Sequence, residues 1–173
     1  MVLPEVPVLA QQYARIDSLQ NLVSNPLGRR MYPGYEQYWR AILANPGDIL
    51  PFTGQVPSQG EINYAHFADQ TPHLVLSKTL DQVAWKNTRI VRDIEELRKL
   101  KQRPGKDMYA VGGATLVSSL MNRGLIDELR LGIAPIILGA GKALFKDVKE
   151  RQALKFRGAE PLKSGTIRLT YSM

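Results

Sequence analysis

The stretch from Met108 to Leu120 constrains the fold more than any other part of this chain. Met108-Tyr109-Ala110-Val111 is a short apolar run that ends at Gly112-Gly113, and a helical pattern starts at once, with Leu116, Val117, Leu120 and Met121 on one face. Strand, glycine turn and helix N-terminus in that order leave unpaired N–H groups and the positive end of a helix dipole beyond a strand end, which suits a phosphate. Glycine at both positions permits positive φ and lets a ligand come close to the backbone. The same residues also suit a plain strand-to-helix connection that binds nothing.

The rest of the chain fits an alternation of strands and helices. Tyr32 to Leu43 is helical in spacing, with Tyr35, Tyr38, Trp39 and Ile42 inward and Pro33 near the helix start. Leu74 to Leu76 and Thr88 to Val91 read as short buried strands. Asp93 and Glu96 predict a capping box, followed by an inward face of Ile94, Leu97 and Leu100. Leu129 to Leu138, Ala153 to Ala159 and Thr166 to Tyr171 read as strands, the last two joined through Lys163-Ser164-Gly165. Gln11 to Val23 has helical spacing, and Ala44 to Glu61 reads as a long surface loop. The expected class is α/β, with a mostly parallel mixed sheet and antiparallel C-terminal strands.

Composition narrows the function classes. A chain of 173 residues suits one domain. With no cysteine, disulfides, thiolate metal sites and cysteine nucleophiles are excluded for this sequence. No apolar run is long enough to cross a membrane, and Met1 to Ala10 lacks a basic leader, so a cytoplasmic setting is expected. The 23 basic and 16 acidic residues give a net charge of +7, but the basic residues are scattered, often beside acids, as in Arg92-Asp93 and Lys146-Asp147. No Lys/Arg run interleaves with aromatics, so nucleic acid is not the expected partner. His66 and His73 have no ligand at metal spacing, so no metal is expected.

In an open α/β sheet, ligands bind beyond the carboxyl ends of the strands. Three segments place glycine or polar residues there: Gly28-Arg29-Arg30, Ser77-Lys78-Thr79, and Gly112-Gly113-Ala114-Thr115. Backbone N–H groups, hydroxyls and guanidinium forks are the groups that hold phosphate oxygens. Each has a simpler alternative, with Arg29 and Arg30 pairing with Glu36, and Lys78 pairing with Asp81. Asp127-Glu128 looks like a carboxylate pair, but adjacent strand residues face opposite sides, which favours a structural role.

The order of strand, Gly112-Gly113 helix, Gly124-Leu125-Ile126-Asp127-Glu128-Leu129, Pro135-Ile136-Ile137-Leu138-Gly139-Ala140-Gly141 and Leu144-Phe145 resembles the dihydrofolate-reductase-like family. Within it, the chain is most similar to the reductase domain of bacterial riboflavin biosynthesis and its uncharacterised relatives. Leu27-Gly28-Arg29-Arg30-Met31-Tyr32 and Val75-Leu76-Ser77-Lys78-Thr79-Leu80 agree with that likeness, which covers roughly Leu27 to Tyr171. It implies a three-layer α-β-α reductase domain over residues 27–173, after an atypical segment, 1–26. It also implies an NADPH-dependent reductase passing hydride to a C=N or C=O of a small heterocyclic or sugar-derived substrate, and a homodimer. The implied cofactor contacts are Gly28, Arg29, Arg30, Ser77, Lys78, Thr79, Gly112, Gly113, Ala114 and Thr115. Two separate cationic spots favour NADPH over NADH, whose missing 2′-phosphate needs no partner. Tyr32 and Glu36 are the acids near that site.

One departure stands out. Members of the family usually open with an apolar strand running into Ser-Leu-Asp-Gly, whereas Val2 to Leu9 is broken by Pro4 and Pro7, and Ile16-Asp17-Ser18-Leu19 is not that motif. A nucleotide-binding protein of the same fold without turnover is therefore the alternative reading.

Overall fold

The computed structural model describes residues 22–51, 53–105, 107–111, 113–141 and 143–173. The segments Val2–Leu9 and Ile16–Leu19, together with Gly112, lie outside the described residues. The chain divides into two compact units, Met1–Gly113 and Ala114–Met173.

The first unit contains four parallel strands in the order β3-β2-β1-β4. These are β1 (Leu22–Gly28), β2 (His73–Leu76), β3 (Thr88–Val91) and β4 (Asp107–Met108), and the helices are α1 (Tyr32–Ala44), α2 (Gln59–Gln70) and α3 (Ile94–Lys101). The aromatic face expected for α1 is buried: Tyr32, Tyr35, Tyr38, Trp39 and Ile42 pack with Leu27, Tyr64, Val75 and Trp85 in one cluster. Strand β2 is covered on both faces, since His73, Leu74 and Val75 are all buried although alternation turns Leu74 away from its neighbours. Ile94 and Leu97 supply the inward side of α3.

Four local expectations change. Leu22 and Val23 belong to β1 and not to a helix, and β1 is an interior strand despite Pro26. The Pro26 carbonyl accepts the Val111 N–H at 3.0 Å, but proline has no N–H to return to that neighbour. On that side the ladder lapses after Met108 and resumes only as a bridge between Leu27 and Val111. The strand expected from Met108 to Val111 is therefore reduced to β4. Helix α2 occupies the end of the expected loop, opened by a capping box in which the Ser58 hydroxyl accepts from the Glu61 N–H. Asp93 does cap α3, but it accepts from the Glu95 N–H, while the Glu96 carboxylate accepts from the Arg92 N–H.

The second unit contains α4 (Ala114–Met121) and an antiparallel ladder in the order β5-β7-β6, built from β5 (Glu128–Ile133), β6 (Lys155–Pro161) and β7 (Ile167–Ser172). Gly124, at φ 60°, ends α4 with the paired bonds of a left-handed cap: the Leu125 N–H donates to the Leu120 carbonyl, and the Gly124 N–H to the Met121 carbonyl. Strand β5 stops at Ile133, before Pro135, and so is shorter than its apolar run. Gly165, at φ 83°, turns the chain into β7, where the Arg168 guanidinium meets Glu160 across the ladder at 3.1 Å. No described helix is long and apolar enough to cross a membrane.

Candidate functional site

The strand order of the first unit reverses between β1 and β4. From β1 the chain steps outward through β2 to β3, then returns to the far side of β1 to lay down β4. Such a reversal leaves a crevice beyond the carboxyl ends of the two central strands, where connections depart in opposite directions. The register defines that edge closely: Gly28 pairs with Leu76, Leu76 with Val91, and Leu27 with Val111. Arg29, Ser77 and Arg92 are thus the first residues beyond three strand ends that stand in register. Gly113 follows the bridge at Val111.

Next to Gly28, the chain turns at once into α1, with the Met31 N–H donating to the Gly28 carbonyl at 3.0 Å. No side chain caps the start of this helix, and Pro33 brings no N–H, so Tyr32 and Gly34 supply the uncapped N–H groups of its first turn, beside the exposed Arg29 and Arg30. Glu36 does not neutralise these arginines; it is bonded to Arg40 at 2.8 Å. Tyr32 is buried, and its hydroxyl receives the Trp85 N–H at 3.3 Å. Burial and the Glu36 carboxylate raise its pKa, so the phenol keeps its proton. Neither Tyr32 nor Glu36 is presented at the edge as a free acid.

Ser77 organises the second segment. Its N–H donates to the Val91 carbonyl at 3.0 Å, and its hydroxyl oxygen accepts the N–H groups of Thr79 at 3.2 Å and Leu80 at 2.9 Å. This side-chain-closed turn fixes the exposed Lys78 at its tip and leaves the hydroxyl proton for a further acceptor. Lys78 and Asp81 form no ion pair among the described residues.

Gly113 is the last residue of this unit. A Cβ built there would meet nothing within 4 Å among the described residues, so their packing does not require glycine at this position. What the missing side chain leaves is open space beside the strand end. Ala114 and Thr115 open α4 and are part of the second unit. Asp127 and Glu128 are exposed in that unit, with Glu128 bonded to Arg130 at 2.6 Å, in keeping with a structural role.

The edge therefore brings together Gly28, Arg29, Arg30, Ser77, Lys78, Thr79 and Gly113, all within one unit. Among the described residues, Arg29, Arg30 and Lys78 have no carboxylate partner, the start of α1 has no side-chain cap, and a Cβ at Gly113 meets nothing within 4 Å. The sequence reading missed Arg92, although the rule that found Arg29 and Lys78 (a cation directly after a strand end) applies to it equally. Its Nη1 donates to the Ser77 carbonyl at 3.0 Å.

The RibD C-terminal domain profile matches residues 25–168. Two uncharacterised Bacillus subtilis proteins are similar in sequence. YyaP is 47% identical over 78 residues, covering 45% of this chain and 42% of that protein, and YwjB is 34% identical over 62 residues, covering 36% of each. The matched region thus spans less than half the length of these curated relatives. Among solved structures, a protein assigned to riboflavin biosynthesis from Shewanella sp. PV-4 superposes with TM-score 0.63 at 17% identity, covering 91% of this chain and 77% of that one. Acinetobacter baumannii RibD gives 0.56 at 19% identity, covering 94% and 48%. Enterococcus faecalis dihydrofolate reductase, complexed with NADP(H), gives 0.53 at 14% identity, covering 91% and 78%. At these identities the likeness establishes the dihydrofolate-reductase-like fold.

Proposed function

The chain belongs to the RibD C-terminal domain family, and from that premise we propose that it is an NADPH-dependent reductase acting on a C=N or C=O carbon of a small heterocyclic or sugar-derived substrate. The observation that carries the reading is the reversal of strand order between β1 and β4, with cations that have no carboxylate partner among the described residues and a helix start without a side-chain cap at its carboxyl edge. The nicotinamide, when bound, supplies the hydride. The protein's task is to bind and orient. Arg29 and Arg30, with the uncapped N–H groups of Tyr32 and Gly34, receive diphosphate oxygens. The Ser77 turn holds Lys78 toward a second phosphate, and the bare backbone at Gly113 lets the cofactor lie against the strand end.

Thermal-shift titration with NADPH, NADH and NADP⁺ in parallel tests this reading, because a ligand specific for the folded state raises the melting temperature by mass action. The expected result is a larger shift with NADPH than with NADH, followed by NADPH oxidation on a panel of carbonyl and imine substrates. Absence of a shift with all three nucleotides removes the reading. A shift without oxidation on any substrate leaves a nucleotide-binding protein and removes the reductase.

A further inference from the structure

We propose that Asp69 is a positioning residue whose carboxylate, near the end of α2, fastens the far end of the connection between β2 and β3 and thereby holds Lys78 in place on it. The effect on a nucleotide rests on the reading above, whereas the fastening rests on geometry alone.

The connection, residues 77–87, closes on itself only where it begins, through the Ser77 hydroxyl. At its far end three consecutive residues converge on one residue of another element. The Trp85 indole N–H donates to Asp69 Oδ1 at 2.9 Å, and Lys86 Nζ donates to Oδ2 at 2.9 Å. The Asn87 side-chain amide donates to the Asp69 carbonyl at 2.7 Å. Between the two ends, Lys78 to Ala84 are exposed except for the half-buried Leu80 and Val83, which pack against the core. None of the three partners of Asp69 is a residue assigned to the nucleotide, so Asp69 reaches that site only through the connection.

Magnitudes decide which of the three bonds matters. The Lys86 side chain is 68% exposed, so its ion pair is screened by solvent and weak. Trp85 is buried, with its ring stacked on His73 at 4.7 Å and tilted toward Tyr35 at 6.0 Å. An indole N–H brought to that depth without an acceptor loses its water and gains nothing in return. The Asp69–Trp85 bond is therefore the main fastening. The same bond, ahead of Lys86, holds the Asp69 carboxyl below its ordinary value, so the acceptor stays ionised at neutral pH. The other end of α2 is tied to α1, where the Tyr38 hydroxyl donates to Glu61 at 2.6 Å. Loss of the Asp69 carboxylate thus frees the connection and leaves the helix that carried it anchored.

Amide hydrogen exchange and NADPH titration of the full chain, run on wild type, Asp69→Ala, Asp69→Asn, Trp85→Phe and Lys86→Met, test the assignment. Asp69→Ala is expected to speed exchange in residues 78–87 at least tenfold, leave α3 and β1 unchanged, and weaken NADPH about tenfold. Asp69→Asn keeps an oxygen for the indole and should recover most of both losses, and Lys86→Met should change little. Trp85→Phe keeps a ring on His73 without the N–H, so it should reproduce the faster exchange even where Asp69→Ala fails to fold. In a Lys78→Ala background, Asp69→Ala should add little to the loss of NADPH affinity, because it acts through that side chain. Exchange that stays slow in 78–87, or that rises throughout the chain, overturns the fastening. Faster local exchange with unchanged NADPH affinity overturns the positioning role. Wild type that binds no NADPH removes the cofactor reading, and exchange alone then decides the fastening.

Discussion

The Trp85 indole lies nearly parallel to the His73 imidazole, with ring centres 4.7 Å apart and planes inclined by 21°. His73 is fully buried; its Nε2 faces the Tyr35 hydroxyl at 3.3 Å, and its Nδ1 has no hydrogen-bond partner among the described residues. Burial lowers its pKa from 6.5 to about 4, against a smaller upward pull from Asp69. The unfolded chain therefore takes up a proton that the folded one refuses. The His73 contribution to stability is complete above pH 6.5, falls as pH drops toward 4, and levels off below it, a loss on the order of 3 kcal/mol. Urea unfolding at a series of pH values should show that slope, and His73→Gln should flatten it. A wild-type curve that stays level between pH 6.5 and 4 removes this account.

Helix α2 starts on a four-bond arrangement. The Glu61 carboxylate accepts from the Ser58 N–H and hydroxyl, each at 2.7 Å, and from the Tyr38 hydroxyl at 2.6 Å, while its own N–H donates to Ser58 Oγ at 3.3 Å. Burial pushes the Glu61 carboxyl upward, but these hydrogen bonds outweigh it and hold it below its ordinary value. Its contribution is thus present above about pH 4.5 and lost as pH falls through the depressed value. Ser58→Ala should cost about 1 kcal/mol. Because Tyr38 links the cap to the aromatic core of α1, Glu61→Gln should cost more, and a double-mutant cycle should be non-additive. Additive losses would separate the cap from the core.

Where local signals agreed, the fold was readable before any coordinate. The aromatic spacing of α1 and the four residues of β3 match the helix and strand that form. Helix α2 escaped notice because its buried positions are Tyr64 and two alanines, a face too weakly apolar to register. The Ser58-x-x-Glu61 box was the available sign. The interior position of Pro26 runs against the usual rule for proline in strands, because its missing N–H falls on the side where β4 pairing lapses. Arg92 was masked by Asp93: two adjacent opposite charges look self-cancelling, and only the structure shows Asp93 turned to the helix backbone.

Strand order gives two cations different places along the carboxyl edge. Arg29 follows β1, which flanks the reversal, whereas Lys78 follows β2, one strand nearer to Arg92. Lys78→Ala should weaken NADPH roughly tenfold more than NADH, and Arg29→Ala should weaken both alike. Titration of each variant with the two nucleotides decides it. Equal losses in Lys78→Ala would assign that side chain to the diphosphate instead.

Gly113 and Gly124 should respond oppositely to one added methyl group. Gly124 has φ 60°, so Gly124→Ala forces a side chain into a left-handed cap and should cost about 1 kcal/mol. At Gly113 a Cβ meets nothing within 4 Å among the described residues. Gly113→Ala should therefore leave the melting temperature of the free protein unchanged, or raise it slightly by restricting the unfolded chain. Its cost should emerge only with nucleotide present, as a smaller NADPH-induced shift, and Gly113→Val should abolish that shift. Unchanged nucleotide affinity in Gly113→Val would mean that no ligand approaches the backbone at this strand end, and the glycine would be a connection and nothing more.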